Sequence, residues 1–411
     1  MPFDDSLPPF NSLNAALRRT TEALARELAC PSVATPDWND FEWRIAQAVA
    51  AMQGVSSLLA DRLRWLGPQS WRRFLDEQKQ QTIGRQRLIA QLLAGIAAGA
   101  RREGIAIVAL KGAALHAIGV YGPGERPMGD IDLLVRAGDV AATARLIEVL
   151  GWHEAFGNRR HRVFEARDKS GSGETRFGEH TANPIKIEVH TRIAESLPAF
   201  EIDITEWCFP VGAHAGLDGY PSIAALMAHL LLHAAGNMRA RALRLIQLHD
   251  IALLAARMDS TSWEELLVDE KGDRNLWWAL PPLLLTARYY PDTIPRSIIS
   301  AIAPDCPWWL RQVAGRHRLA DVSWSKLRIQ AFPGIEWARS PREAARFAMS
   351  RIHPSREALD DLARGVAGQQ WASVVPWYGL SHPARIIRWI FSRPPRVQTM
   401  FSVRSALQRE S

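Results

Sequence analysis

Two short apolar runs, residues 105–110 (IAIVAL) and 131–135 (IDLLV), limit what this 411-residue chain can fold into more than any other feature. Both are rich in branched apolar residues and too short for a core helix, as buried strands are. Lys111-Gly112 follows the first run directly, and residues 112–118 have helical composition. A loop over 119–129, rich in glycine and holding two prolines, then leads into the second run. Residues 139–150 read as a helix capped by Gly138 or Asp139 and stopped by Gly151. Two more strands are predicted, around 161–166 and over the alternating stretch 185–193 (IKIEVHTRI).

Helical spacing dominates on both sides of this unit. Residues 11–28 form one apolar stripe, and CPSVATPD at 30–37 breaks it with two prolines. Residues 37–66 read as amphipathic helix broken near Gly54, and 71–100 as one long helix. Beyond a polar loop at 168–183, helices are predicted over 223–235, 240–258, 262–268 and 276–288. Residues 320–411 are rich in Pro, Trp and Arg and show no clear period. The expected class is α+β: a small mixed-sheet core at 104–195 between a helical region at 1–103 and another at 196–411.

Lys and Arg exceed Asp and Glu, giving a net charge of +7. That suits a polyanionic partner such as a nucleoside triphosphate, RNA or an acidic peptide. The basic residues are dispersed with no Lys/Arg run, which argues against a nucleic-acid acceptor. Three cysteines (Cys30, Cys208, Cys306) match no zinc or redox spacing and point to the cytosol. The acidic start MPFDD has no apolar signal region. The apolar stretch 88–100 is too short to span a bilayer, and 223–235 carries His229 and His233, so no membrane span is expected. The sixteen tryptophans read as helix packing, with Trp277-Trp278 and Trp308-Trp309 also suited to lining an apolar acceptor pocket or a partner groove.

Three elements carry chemistry. At Leu110-Lys111-Gly112 a strand opens into a helix; glycine permits close backbone approach to a phosphate, helix-start amides bind its oxygens, and Lys111 adds charge. At Asp130-Ile131-Asp132 strand alternation puts both carboxylates on one face, about 7 Å apart, while Ile131, Leu133 and Val135 face the core. At Glu188-Val189-His190 a third carboxylate stands on another strand, with His190 on the same face. Hard Mg²⁺ takes oxygen ligands, and a two-metal site needs carboxylates that bridge. Taken singly, a surface lysine at a turn, two solvated aspartates and a half-exposed glutamate would explain each motif; their order along the chain favours one site. His229 and His233 lie four apart on a helix, and His249-Asp250 matches a pair seen in metal phosphohydrolases. Without further ligands these suit core and capping roles, with Asp250 fixing the helical region or facing the cleft alongside Arg244.

The stretch LKGAALHAIGVYGPGERPMGDIDLLV resembles the uncharacterised nucleotidyltransferase family of bacteria, within the DNA polymerase β-like superfamily. The matching residues are Lys111, Gly112, Leu115, Tyr121, Arg126, Asp130 and Asp132, and the later Glu188-Val189-His190 is similar to that family's acidic strand. The flanking helices, including LHDIALL at 248–254, look like the family's flanks. Two departures stand out. Gly112-Ala113 replaces the superfamily's Gly-Ser or Gly-Gly turn, removing a hydroxyl, and Glu188 stands where Asp is more usual.

The resemblance implies transfer of a nucleotidyl group from an NTP such as ATP to an acceptor. Asp130, Asp132 and Glu188 would be catalytic and metal-binding, holding two Mg²⁺ ions, with Mn²⁺ as an alternative. Lys111, Gly112 and Arg126 would bind the nucleotide, and His190 would act behind the ligands or touch substrate. The expected acceptor is a small molecule, peptide or protein, in a cytoplasmic enzyme with no membrane partner. Two alternatives stay open: a non-catalytic relative acting as a nucleotide sensor or interaction partner, and a glycosyltransferase using Asp-x-Asp. The second predicts a longer doubly wound domain before the motif, where residues 12–100 read as helical.

Overall fold

The computed structural model describes residues 7–157, 161–167, 176–198, 200–269, 272–356, 359, 380–392 and 394–409. The predicted polar loop at 168–183 lies partly outside this set, at 168–175. The fold is α+β, with a mixed six-stranded sheet set among helices.

Four helices lead in: α1 (Phe10–Ala29), α2 (Asp40–Met52), α3 (Ser56–Arg62) and α4 (Gln69–Glu103). Asn39 and Glu42 close a reciprocal capping box at the start of α2, each side chain accepting from the other's backbone amide. Trp38, Trp43, Trp65 and Trp71 pack edge-on and stacked as one aromatic cluster, with Trp43 and Trp65 centroids 5.8 Å apart.

The sheet follows: β1 (Ala106–Ala109), α5 (Lys111–Ala117), β2 (Asp130–Val135), α6 (Val140–Val149), β3 (Trp152–Gly157), β4 (His161–Ala166) and β5 (Lys186–His190). Asp139 is the N-cap of α6 but its side chain makes no capping bond, so the expected cap is positional only. Residues 152–157, not singled out by the sequence pattern, pair antiparallel with β4. Two short strands, β6 (Ala194–Ser196) and β7 (Glu201–Asp203), form a separate hairpin. After α7 (Thr205–Cys208), β8 (Gly216–Asp218) adds in parallel to β1. The sheet order is β3-β4-β5-β2-β1-β8.

The helices α8 (Ile223–Ala240) and α9 (Leu245–Ala255) come next. The expected break between 235 and 240 falls later. Arg241 takes a left-handed conformation (φ 57°) that ends α8, and Leu243 bridges to Ser323. Helices 280–289, 296–302 and 308–314 continue the helical layer, and 397–408 returns against α2.

Strand parity divides the sheet into two faces. Ile107, Ile131, Leu133, Val135, Ile187 and Val189 pack under α4 and α6 in one apolar cluster. Val108, Leu110 and Leu134 belong to a larger cluster shared with α1, α2, α8 and α9. Asp130 and Asp132 share the parity of Leu134, so their face is the one turned toward α8 and α9 rather than α4.

Candidate active site

Strand directions bring the singled-out residues together. β2 and β5 are parallel with Asp132 opposite Glu188 and Leu134 opposite His190. β1 runs antiparallel to β2, and the Leu110 amide donates to the Asp132 carbonyl at 3.0 Å. The chain therefore leaves β1 beside the start of β2, and Lys111 comes to lie over Asp132. Lys111 has φ 46°, a left-handed conformation costly for a residue with Cβ, on the order of 1–2 kcal/mol.

Asp132 is 5% exposed and is the hub of the cluster. Its Oδ1 accepts from Lys111 Nζ at 2.8 Å and lies 3.0 Å from His190 Nε2. His190 Nε2 is 3.6 Å from Glu188. Ligand atoms of Asp132, Glu188 and His190 all fall within 4.8 Å of one another, the one such group of three among the described residues. Asp130 stands on the same face, at the open start of β2 and outside that tight group.

The charges of the group are unevenly held. Burial opposes ionisation of Asp132, but Lys111 and the His190 bond overcome it and hold the carboxyl well below the usual range. Burial also opposes the charge on Lys111, yet Asp132 and Asp130 raise its pKa further. Asp130 and Glu188 move upward. The surrounding protein disfavours their charge first, and the neighbouring carboxylates second. Asp130 itself is exposed at the start of β2. The pocket thus holds one firmly ionised carboxylate, paired with Lys111, beside two carboxyls that resist ionisation in each other's presence. Its oxygen donors fit a divalent cation of the magnesium type, and His190 adds a nitrogen suited to manganese.

Arg126 is placed differently from a free phosphate ligand. Its Nε and Nη2 donate to the two carboxylate oxygens of Asp250 on α9, at 2.8 and 2.7 Å, with Asp250 buried and Arg126 largely so. The Tyr121 hydroxyl donates to the same Asp250 at 2.7 Å. The Arg126 guanidinium also lies so close over Gly112 that a Cβ there would collide with it and with Met128. A side chain at 112 would thus have to displace Arg126 or Met128, and the Arg126–Asp250 pair ties the loop before β2 to the helical layer. The Ala113 amide returns to the Leu110 carbonyl at 3.1 Å.

Arg85 was not legible as a site residue. It is buried in α4 and donates to the carbonyls of His180 and Asn183 at 3.0 and 2.7 Å and of Met128 at 3.3 Å. It also ion-pairs with Glu179 at 3.3 Å. One guanidinium thereby fixes both loops that deliver β2 and β5. The available signal was a charge on the buried stripe Gln78, Thr82, Arg85, Ile89, Leu92, Ile96.

The remaining candidates have structural partners. His249 meets the Tyr290 hydroxyl at 3.0 Å in the core, and His229 meets Tyr220 at 2.5 Å. Burial holds His229 well below its ordinary value and His233 at about 3, so both are neutral. They line a cavity of ≈ 70 Å³ with Lys111, His190 and Glu195, directly beside the cluster. Trp277 packs on Trp337, and Trp278 borders a cavity of ≈ 520 Å³ with Trp207 and Arg192. Trp309 donates to the Ala338 carbonyl at 2.8 Å, and Trp308 is exposed.

No helix among the described residues is long and apolar enough to cross a membrane. No curated protein and no solved structure matches this chain. A family model described as an uncharacterised nucleotidyltransferase matches residues 39–289, which run from α2 to the end of the helix at 280–289 and enclose every residue of the cluster. The chain belongs to that nucleotidyltransferase family.

Proposed function

We propose that this protein moves a nucleoside monophosphate from an NTP to an acceptor, releasing pyrophosphate, with Asp130, Asp132 and Glu188 as its catalytic and magnesium-binding carboxylates. The observation that carries the reading is the register of Asp132 against Glu188, which joins two distant acidic motifs at one pocket. Family membership supports transferase chemistry in general.

In the proposed reaction an acceptor nucleophile bonds to the α-phosphorus, the bond from that phosphorus to the bridging oxygen breaks, and pyrophosphate leaves with the electron pair. Magnesium, when bound at Asp130, Asp132 and Glu188 as one or two ions, supplies charge neutralisation and a more acidic acceptor hydroxyl. Glu188, opposite Asp132 at the edge of the pocket, takes the acceptor proton. Asp132 holds Lys111 at the end of β1, where the ammonium offsets triphosphate charge in place of the hydroxyl absent at Ala113. Gly112 and Arg126 serve the nucleotide by fixing that turn against Asp250. His190 steadies Asp132. The ≈ 70 Å³ cavity beside Lys111 suits the reacting end of a small molecule or peptide.

One observation favours a second reading. Lys111 and His190 both sit on one oxygen of Asp132, so that oxygen already has protein partners without a metal, as a non-catalytic nucleotide sensor would allow. Pyrophosphate release decides between them. With NTP, Mg²⁺ and a cell lysate as acceptor source, the wild type is expected to release pyrophosphate, and chelation or D132N to stop it. Nucleotide binding without any metal-dependent release would support the sensor.

A further inference from the structure

The cations around the cleft differ in how they are satisfied. Lys111 is paired with Asp132, Arg126 with Asp250, and Arg85 with Glu179 and four carbonyls. Arg244 is not. Its side chain makes no hydrogen bond or ion pair among the described residues, and its Nε is buried without a partner. Arg244 as a whole is half-buried, and an inward-facing guanidinium nitrogen with no counter-ion beside it is costly unless an anion or water completes it.

The position is built. Arg244 is the N-cap of α9, and its amide donates to Gln247 Oε1 at 2.9 Å. The next two amides, of Leu245 and Ile246, donate to Gln53 Oε1 at 2.7 Å and the Gln53 carbonyl at 3.2 Å. Gly54 allows the guanidinium to pass directly over the backbone; a Cβ there would strike Nη2. The Trp324 ring lies 5.9 Å from the guanidinium carbon. Burial disfavours the charge, and the carboxylates that favour it most are Glu179 and then Asp130. Arg244 is therefore a cation held over Gly54 and beside Trp324, close enough for Glu179 and Asp130 to favour its charge.

We propose that Arg244 is a polyphosphate-binding residue: it receives the β- and γ-phosphates of the NTP and holds pyrophosphate as it leaves. This rests on the nucleotidyl-transfer reading above. A guanidinium presents several donors in a rigid plane and suits phosphate oxygens better than an ammonium does. The consequence is that the helical layer supplies half of the nucleotide site, while the sheet supplies the carboxylates.

The test is calorimetric binding of ATP, pyrophosphate and AMP, each with Mg²⁺, to wild type, R244Q and R244K. Wild type is expected to bind ATP and pyrophosphate. R244Q should weaken both at least tenfold while leaving AMP within twofold, and R244K should fall between. In turnover the NTP KM should rise more than kcat falls. An R244Q protein that binds pyrophosphate as wild type does would overturn the assignment, even if its melting temperature drops. A wild type that binds neither ATP nor pyrophosphate would instead remove the underlying reading. Should the variants misfold, phenylglyoxal labelling of Arg244 in the wild type, read by peptide mass spectrometry, gives the same answer. Protection by pyrophosphate but not by AMP is expected, and equal labelling with and without pyrophosphate contradicts the proposal.

Discussion

Asp132 on β2 and Glu188 on β5 stand directly opposite each other in parallel register, 56 positions apart in the chain and adjacent in space. Each strand sends its apolar partners, Ile131 and Leu133 or Ile187 and Val189, into the cluster under α4. The carboxylates have no other face to occupy, so core packing itself aims them at the cleft. A one-residue slip of either strand would bury the acid and expose the core.

The Lys111–Asp132 pair separates stability from activity. D132N leaves a buried ammonium with a weakened partner and is expected to cost roughly 3–5 kcal/mol. The double variant K111M/D132N should recover a large part of that loss and none of the transfer activity. Urea titration with a parallel pyrophosphate assay reads both; recovery of activity in the double variant would refute the role given to Asp132.

Glu188 should trade stability for metal binding. Burial and the adjacent aspartates raise its folded pKa, so it is harder to ionise folded than unfolded. Such a group disfavours the folded state as pH rises past its unfolded value near 4.3, and is neutral in effect below it. Without metal, E188Q should melt higher than wild type at pH 7.5 and the same at pH 4. Mg²⁺ should then stabilise the wild type and leave E188Q unchanged. Calorimetric scans showing E188Q destabilised equally at both pH values would count against the assignment.

Asp132 carries the opposite sign. Its folded carboxyl lies well below the ordinary value near 3.9, so its contribution is complete above about pH 4 and lost as the pH falls further. Acid unfolding of the wild type should therefore show a step below pH 4 that is absent in K111M/D132N. An identical acid limb in the two proteins would show that Asp132 is not held as described.

The Arg126–Asp250 pair predicts a loss of architecture rather than of chemistry. R126M leaves the buried Asp250 with Tyr121 as its remaining side-chain partner, and D250N leaves Arg126 without its counter-ion, each costing about 3–5 kcal/mol. G112A drives a methyl into Arg126 and should lower both stability and turnover, although alanine is the better helix former. Denaturant midpoints test all three; a G112A protein as stable as wild type would mean Arg126 does not lie over that glycine.

The parts of the fold readable in the sequence were those with a period. IAIVAL, IDLLV and IKIEVHTRI declare strands through branched apolar residues, and the same alternation assigns Asp130, Asp132, Glu188 and His190 to one face. What joins them was less visible. β6, β7 and β8 are three residues each, too short to show a period, and β8 is defined only by pairing with β1. The end of α8 lies at Arg241, whose left-handed backbone no local residue preference announces. Arg85 and Glu179 sit 94 positions apart, and Arg126 and Asp250 are 124 apart, so their pairing is a property of packing alone. Arg85 in particular hides in a helix already rich in Arg and Gln.

The most direct test of the proposed chemistry follows the phosphorus. Wild type and D132N are incubated with Mg²⁺, a lysate and ATP labelled at either the α or the γ position, repeated with the other NTPs. The account predicts α-label transferred to a product, γ-label released in pyrophosphate, and neither event with D132N. Transfer of the γ-label, or equal α-transfer by the two proteins, would contradict nucleotidyl transfer at these carboxylates.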